Sequence, residues 1–169
     1  MTNTLNRRTL VVGLASAGAI AISACGQAKQ SGNSQSRPES PPEVPAAQMT
    51  VYRDSSCGCC GAWAEIARQA GYQVSLVDRP DMAAIKTRLG VPAELASCHT
   101  ATLEGFAIEG HVPLEQVDRL LKDKPNGIRG IAVAGMPRGS PGMEMPDGSK
   151  DDFQVMAFDV RGQISVFKA

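Results

Sequence analysis

The sequence predicts an α/β domain, a mixed sheet with helices on both faces. Strand-like and helix-like segments alternate in the order β-α-β-α-β-β-α from Met49 onward, with Gly and Pro between them. Apolar residues make up 43% of 169 residues and aromatics only 4%, which is enough for one aliphatic core and too little chain for two ordinary domains.

Met49-Thr50-Val51-Tyr52-Arg53 has the residues of a first strand, and Asp54-Ser55-Ser56 those of a turn. Trp63, Ile66, Ala67 and Ala70 then recur at i, i+3, i+4 and i+7, one face of a helix that Gly71 closes. Residues 72–77 alternate as a second strand. Asp78 and Pro80 suit the start of a second helix that turns Met82, Ile85 and Leu89 inward and stops at Gly90 and Pro92. Residues 100–103 and 106–108, split by Glu104-Gly105, read as a hairpin. Pro113 opens a third helix with Leu114, Val117 and Leu121 inward. This order is that of a thioredoxin-like minimal fold. Residues 126–150 are rich in Gly, Pro and Met and read as an irregular loop, of a length that is uncommon without a function. Residues 153–158 and 164–167 flank Asp159-Val160-Arg161-Gly162 as a C-terminal β-hairpin.

The segment before this domain reads as an address. Arg7 and Arg8 precede an apolar run from Leu10 to Ala24 that is shorter than a bilayer-spanning helix needs. It ends in Ile22-Ser23-Ala24-Cys25, which resembles a bacterial lipobox, so residues 1–24 are expected to be a lipoprotein signal peptide and Cys25 the lipidated mature N-terminus. Asn6-Arg7-Arg8-Thr9-Leu10-Val11 also resembles a loose twin-arginine signal, leaving the export route open; a plain secretory signal is the alternative to the lipobox. Residues 25–48, rich in Ser, Gln, Pro and Gly, are expected to form a flexible tether, and 49–169 the folded domain. The expected location is the periplasmic face of a membrane, or the cell surface, held by the lipid.

Lysines and arginines number 17, as do aspartates and glutamates, so there is no basic field for nucleic acid. No Ser-His-Asp spacing, P-loop or dinucleotide fingerprint occurs. The informative excess is five cysteines and seven methionines. Cys57-Gly58-Cys59-Cys60 sits where the first strand meets the first helix, and N–H groups at a helix N-terminus favour thiolates. Cys57 and Cys60 have the C-x-x-C spacing of thiol oxidoreductases; Cys59 is the extra thiol. Cys98 lies just before the third strand, where the thioredoxin-like order would turn it toward the other three.

Three readings of these cysteines stay open. They could form structural disulfides, Cys57–Cys60 with Cys59–Cys98. They could work as a thiol-disulfide oxidoreductase through Cys57 and Cys60. They could also bind a soft metal, for which thiolates select Cu(I) and also serve Zn. Adjacent Cys59 and Cys60, with Cα atoms about 3.8 Å apart, converge poorly on one tetrahedral ion, so the spacing favours a multinuclear Cu(I) site over mononuclear Zn. His99 and His111 are weaker ligand candidates, with surface or capping roles as the alternative. Met136, Met143 and Met145 lack core periodicity and are candidates for Cu(I) capture or shielding, against plain loop packing.

Taken together, Cys57-Gly58-Cys59-Cys60, Leu89-Gly90-Val91-Pro92, Ser97-Cys98-His99-Thr100, Glu109-Gly110-His111-Val112-Pro113 and the Gly135-Met136-Pro137 to Gly142-Met143 stretch resemble the CopG-like copper-resistance family, a domain of unknown function. The resemblance covers the region from Met49 to Ala169. It implies an exported, thioredoxin-like protein that binds copper through Cys57, Cys59, Cys60 and Cys98, more a metal-binding protein than an enzyme. The implied partners are copper ions and other exported copper-handling proteins.

Overall fold

The computed structural model describes residues 47–168. The expected signal peptide 1–24, the lipidation site Cys25 and the expected tether up to residue 46 lie outside the described residues. Strand β1 (Gln48–Arg53) leads through α1 (Gly58–Gln69) to β2 (Gln73–Asp78) and α2 (Met82–Leu89). A short 3₁₀ turn, Ala93–Leu95, precedes the hairpin of β3 (His99–Leu103) and β4 (Phe106–Glu109), which is followed by α3 (Leu114–Asp123). Three more strands complete the chain, β5 (Ile128–Ala132), β6 (Met156–Asp159) and β7 (Ile164–Val166). The predicted β-α-β-α-β-β-α order is present, followed by one unexpected strand and the expected C-terminal hairpin.

All seven strands join one mixed sheet in the order β2-β1-β3-β4-β5-β6-β7. β1 runs parallel to β2 and antiparallel to β3, and β4 runs parallel to β5. Alternation along the strands divides the side chains between two faces. On one face Met49, Val51, Ala101, Leu103, Ile108, Ile131 and Ala157 meet Trp63 and Ala67 of α1 and Val117 and Leu120 of α3. On the other, Ala107, Ala132 and Phe158 pack with Val91 and Leu95, which follow α2.

Several local expectations need correction. The cap of α2 is Asp81, whose carboxylate accepts the Ala84 N–H at 3.0 Å; Asp78 ends β2 and pairs with Arg53. Asp81 immediately precedes the first helical turn and so reaches its free N–H groups, which Asp78 does not. Ala70 is exposed at the end of α1 and Ala64 is buried in its place; α3 buries Leu120 more deeply than Leu121. The reading of residues 126–150 as wholly irregular missed β5, an interior strand of the sheet. Gly130 interrupts its apolar pattern and reads as a loop residue. Its neighbours explain the glycine: a Cβ there would run into the Ala107 carbonyl and the Phe158 ring. Gly130→Ala is therefore expected to destabilise the domain by roughly 1–3 kcal/mol in urea unfolding, since backbone on one side does not yield. An unchanged midpoint would contradict this packing.

Candidate metal centre

The site forms where β1 ends and β3 begins. After Arg53 the chain turns on Asp54, whose carboxylate accepts the Ser56 N–H at 2.8 Å and the Ser56 hydroxyl at 2.5 Å. Cys57 is the N-cap of α1 and makes no side-chain cap hydrogen bond; its carbonyl accepts from Arg53 Nη1 at 3.1 Å. Cys57 and Cys60 are joined by a disulfide with their Cα atoms 5.4 Å apart, the reach of an i, i+3 pair at a helix start. Cys59 and Cys98 are free. Cys59 Sγ lies 3.5 Å from Cys57 Sγ and 3.9 Å from Cys98 Sγ, and all four sulfurs lie within 4.8 Å of one another. Of the two bonds in the disulfide reading, the structure contains Cys57–Cys60 and leaves Cys59 and Cys98 as neighbouring thiols.

Two histidines extend the cluster. Cys98 Sγ is 3.0 Å from His111 Nε2 and 3.5 Å from His99 Nδ1, and the three side chains form a second group able to hold a metal. His111 Nδ1 is 2.7 Å from the Pro141 carbonyl. A carbonyl oxygen only accepts, so Nδ1 carries the proton and the Nε2 lone pair faces Cys98. His99 stacks against Trp63 with ring centroids 4.7 Å apart and meets His111 edge-on at 5.0 Å. Both histidines are fully buried, and His99 Nε2 has no hydrogen-bond partner.

Burial sets the protonation of these groups. It pushes the Cys98 thiol up to about 12, helped by the neighbouring Cys59, so Cys98 is a neutral thiol at pH 7 and donates toward His111. The thiolate expected from a helix N-terminus does not extend to this cysteine, which precedes a strand. Burial also drives His99 down to about 3, with the charges of His111 and Lys86 acting the same way, and lowers His111. Neutral imidazoles and thiols present lone pairs to a soft cation once the thiol protons leave.

The loop from Gly135 to Ser149 closes over this group through its backbone. Pro141 meets His111, and Gly142 lies so close to α1 that a Cβ would come within 2.8 Å of Trp63 N and 2.9 Å of the Cys59 carbonyl. Met136 and Met145 are exposed and Met143 is half-buried. Trp63, expected in the core, is there, and its indole N–H also fixes the Val112 carbonyl beside His111 at 2.9 Å.

The unfolded chain protonates His99 below about pH 6.5 whereas the folded chain resists to about 3, so this contribution to stability is complete above pH 6.5 and is lost as pH falls through that window. His111 acts in the same direction. For copper-free protein the urea midpoint is expected to fall between pH 7 and pH 5, with a limiting slope of ~1.4 kcal/mol per pH unit per histidine. His99→Phe keeps a ring against Trp63 and should flatten that fall; a mutant that keeps the full slope would show that His99 is not its source.

Comparison with known proteins follows the same residues. The family model described as "Protein of unknown function, DUF411" matches residues 95–143, a span that includes Cys98, His99 and His111. No curated protein matches the chain. A solved structure titled copper resistance protein CopG, form 1, is 42% identical at a TM-score of 0.67, covering 73% of this chain and 95% of that one. Form 2 is 41% identical at a TM-score of 0.68, covering 72% of this chain and 95% of its own. Identity at this level across nearly the whole of both solved chains decides membership: the chain belongs to the CopG-like copper-resistance family, DUF411.

Proposed function

We propose that the protein is an exported copper-binding protein that sequesters, transfers or redox-cycles Cu(I) through Cys57, Cys59, Cys60 and Cys98. The observation that carries this reading is the convergence of four sulfurs within 4.8 Å, with His111 Nε2 3.0 Å from one of them. The donor set fits copper: sulfur suits Cu(I), and neutral imidazole accommodates either oxidation state. The family name of the two solved relatives supports the same metal. More than one ion per chain is expected, because bridging thiolates relieve the poor convergence of adjacent Cys59 and Cys60. His99 and His111 stand as auxiliary ligands, and Met136, Met143 and Met145 as thioether donors on the loop. The strand order β2-β1-β3-β4, with β3 antiparallel to both neighbours, supports the thioredoxin-like reading. In this reading residues 1–24 direct export, Cys25 carries the lipid, and the domain meets other exported copper-handling proteins at the membrane surface.

The disulfide between Cys57 and Cys60 at the start of α1 favours a second reading, a thiol-disulfide oxidoreductase. The same bond makes copper loading redox-dependent, since Cys57 and Cys60 become thiols only after two electrons and two protons have opened it, and thiolates once those protons leave.

Anaerobic Cu(I) titration of reduced protein is expected to load more than one ion per chain and of disulfide-bonded protein fewer. Loading should release protons and weaken as pH falls, because each thiol must ionise. At a free metal concentration a thousandfold above the dissociation constant, the domain should gain ~4 kcal/mol of stability. Cys→Ser at 57, 59, 60 or 98 should each lower copper per chain. Full loading in Cys59→Ser and Cys98→Ser, with disulfide-reductase activity lost only at 57 and 60, would establish the oxidoreductase reading instead. For the anchor, Cys25→Ser should move the protein from the membrane to the soluble fraction with copper loading unchanged; an unmodified mature N-terminus by mass spectrometry would remove that part of the proposal.

A further inference from the structure

Behind the sulfur cluster, on the opposite face of the sheet, lies a polar group that binds no candidate ligand atom directly. Glu109, the last residue of β4, is fully buried. Its Oε1 accepts the Lys86 ammonium at 2.5 Å and the Ser97 N–H at 2.6 Å, and its Oε2 accepts the Thr100 hydroxyl at 2.6 Å. Lys86 also donates to Thr100 Oγ1 at 3.1 Å. The two residues tied to the carboxylate, Ser97 and Thr100, flank the Cys98-His99 pair on either side. Residues 96–98 belong to no strand, so sheet pairing does not place them.

A buried ion pair is a weak device for stability, because desolvation offsets much of its attraction. Here every partner is satisfied, and the partners bracket Cys98, the candidate cysteine remote from the start of α1. Gly110 closes the arrangement: at φ 74° a Cβ there would stand 2.5 Å from both Ser97 Oγ and the Val133 carbonyl. Ser97 Oγ in turn donates to the Gly135 carbonyl, and Gly135 N–H to that of Ala96. Glu109 therefore locates Cys98 through its side chain and His111, two residues on, through its backbone.

We propose that Glu109, held by Lys86, is a positioning residue that fixes Cys98 at its distance from Cys59 and His111; its consequence for copper rests on the reading given above. Without the carboxylate the 96–98 segment loses its N–H acceptor and Thr100 its partner, and Cys98 swings between arrangements. Glu109→Gln keeps the clamp, since the amide oxygen accepts from Ser97 while the NH₂ donates to Thr100.

The test uses the full chain, copper-free, with the Cys57–Cys60 disulfide intact, so that among the described residues the thiols are Cys59 and Cys98. Iodoacetamide alkylation of each is followed by peptide mass spectrometry on variants shown to be folded by circular dichroism. Glu109→Ala and Thr100→Val are expected to raise the Cys98 rate about tenfold, the opening that loss of one charge-assisted hydrogen bond allows, and to leave Cys59 within about twofold. Glu109→Gln should stay near the parent. Equal acceleration at both cysteines, or none at Cys98, overturns the proposal; if Glu109→Ala does not fold, Thr100→Val and Glu109→Gln decide by the same criterion. After reduction, Cu(I) loading and its thiolate charge-transfer absorption should change in the alanine and valine variants and return in glutamine. A Cys98 rate that rises while copper loading and absorption stay unchanged sustains the clamp and counts against Cys98 as a copper ligand.

Discussion

Arg53 stands opposite His99 where β1 and β3 pair antiparallel, and that register is the constraint on which the site depends. β1 delivers the chain to the start of α1, with Cys57 four residues beyond Arg53, and β3 starts one residue after Cys98. Antiparallel pairing places the end of one strand beside the start of the other, so the two cysteine segments meet without any contact between them being needed first. The next pairings bring the remaining donors to the same end. Thr100 faces Glu109 across the β3–β4 ladder, which leaves His111 just past the end of β4. β5 runs parallel to β4, so the loop that follows it also leaves from this end and lays Pro141 on His111. A one-residue slip of β3 on β4 would exchange the two faces of the sheet and separate Thr100 from Glu109. The turn at Glu104 and Gly105, both in the left-handed region at φ 47° and 88°, holds that register.

The two faces serve the site differently. The face under α1 and α3 carries the aliphatic core, and His99 is sealed there against Trp63. The face under α2 carries the Lys86–Glu109–Thr100 group, screened from solvent by Lys86 and the sheet. Burying so many polar groups in a small domain costs stability, and the structure offsets nearly all of it by pairing them. His99 Nε2 is an exception, an orphan whose desolvation costs about 1–3 kcal/mol. The same ring turns its other nitrogen, Nδ1, to Cys98 Sγ at 3.5 Å, so the desolvated imidazole belongs to the sulfur site.

Periodicity and punctuation were sufficient to find three helices and six of the seven strands, because their apolar stripes are set by local sequence. β5 escaped because Gly130, whose absent side chain admits Ala107 and Phe158, erases the alternation that defines a strand. The C-x-C-C run and Cys98 were legible as chemistry from residue type and spacing alone. Which two sulfurs bond was not, since the choice depends on side-chain directions at the α1 N-terminus. Glu109 was visible only as part of a Glu-Gly-His string. Nothing local marks it, because its partners at positions 86, 97 and 100 meet it only through sheet register.

The cluster consequently has two halves of different origin. Cys57, Cys59 and Cys60 are neighbours in sequence, and a single helical turn suffices to gather them. Cys98 lies 39 residues from Cys59 and comes within 3.9 Å only when β1, β3 and β4 have assembled. A cation held by the local half alone would bind an unfolded chain nearly as well and would stabilise nothing. One that also engages Cys98 and His111 distinguishes folded from unfolded, and its binding free energy becomes folding free energy. In the proposed copper reading the long-range half would thus make metal binding report on the integrity of the fold, and the interactions that hold Cys98 in place would set how strongly the two are coupled.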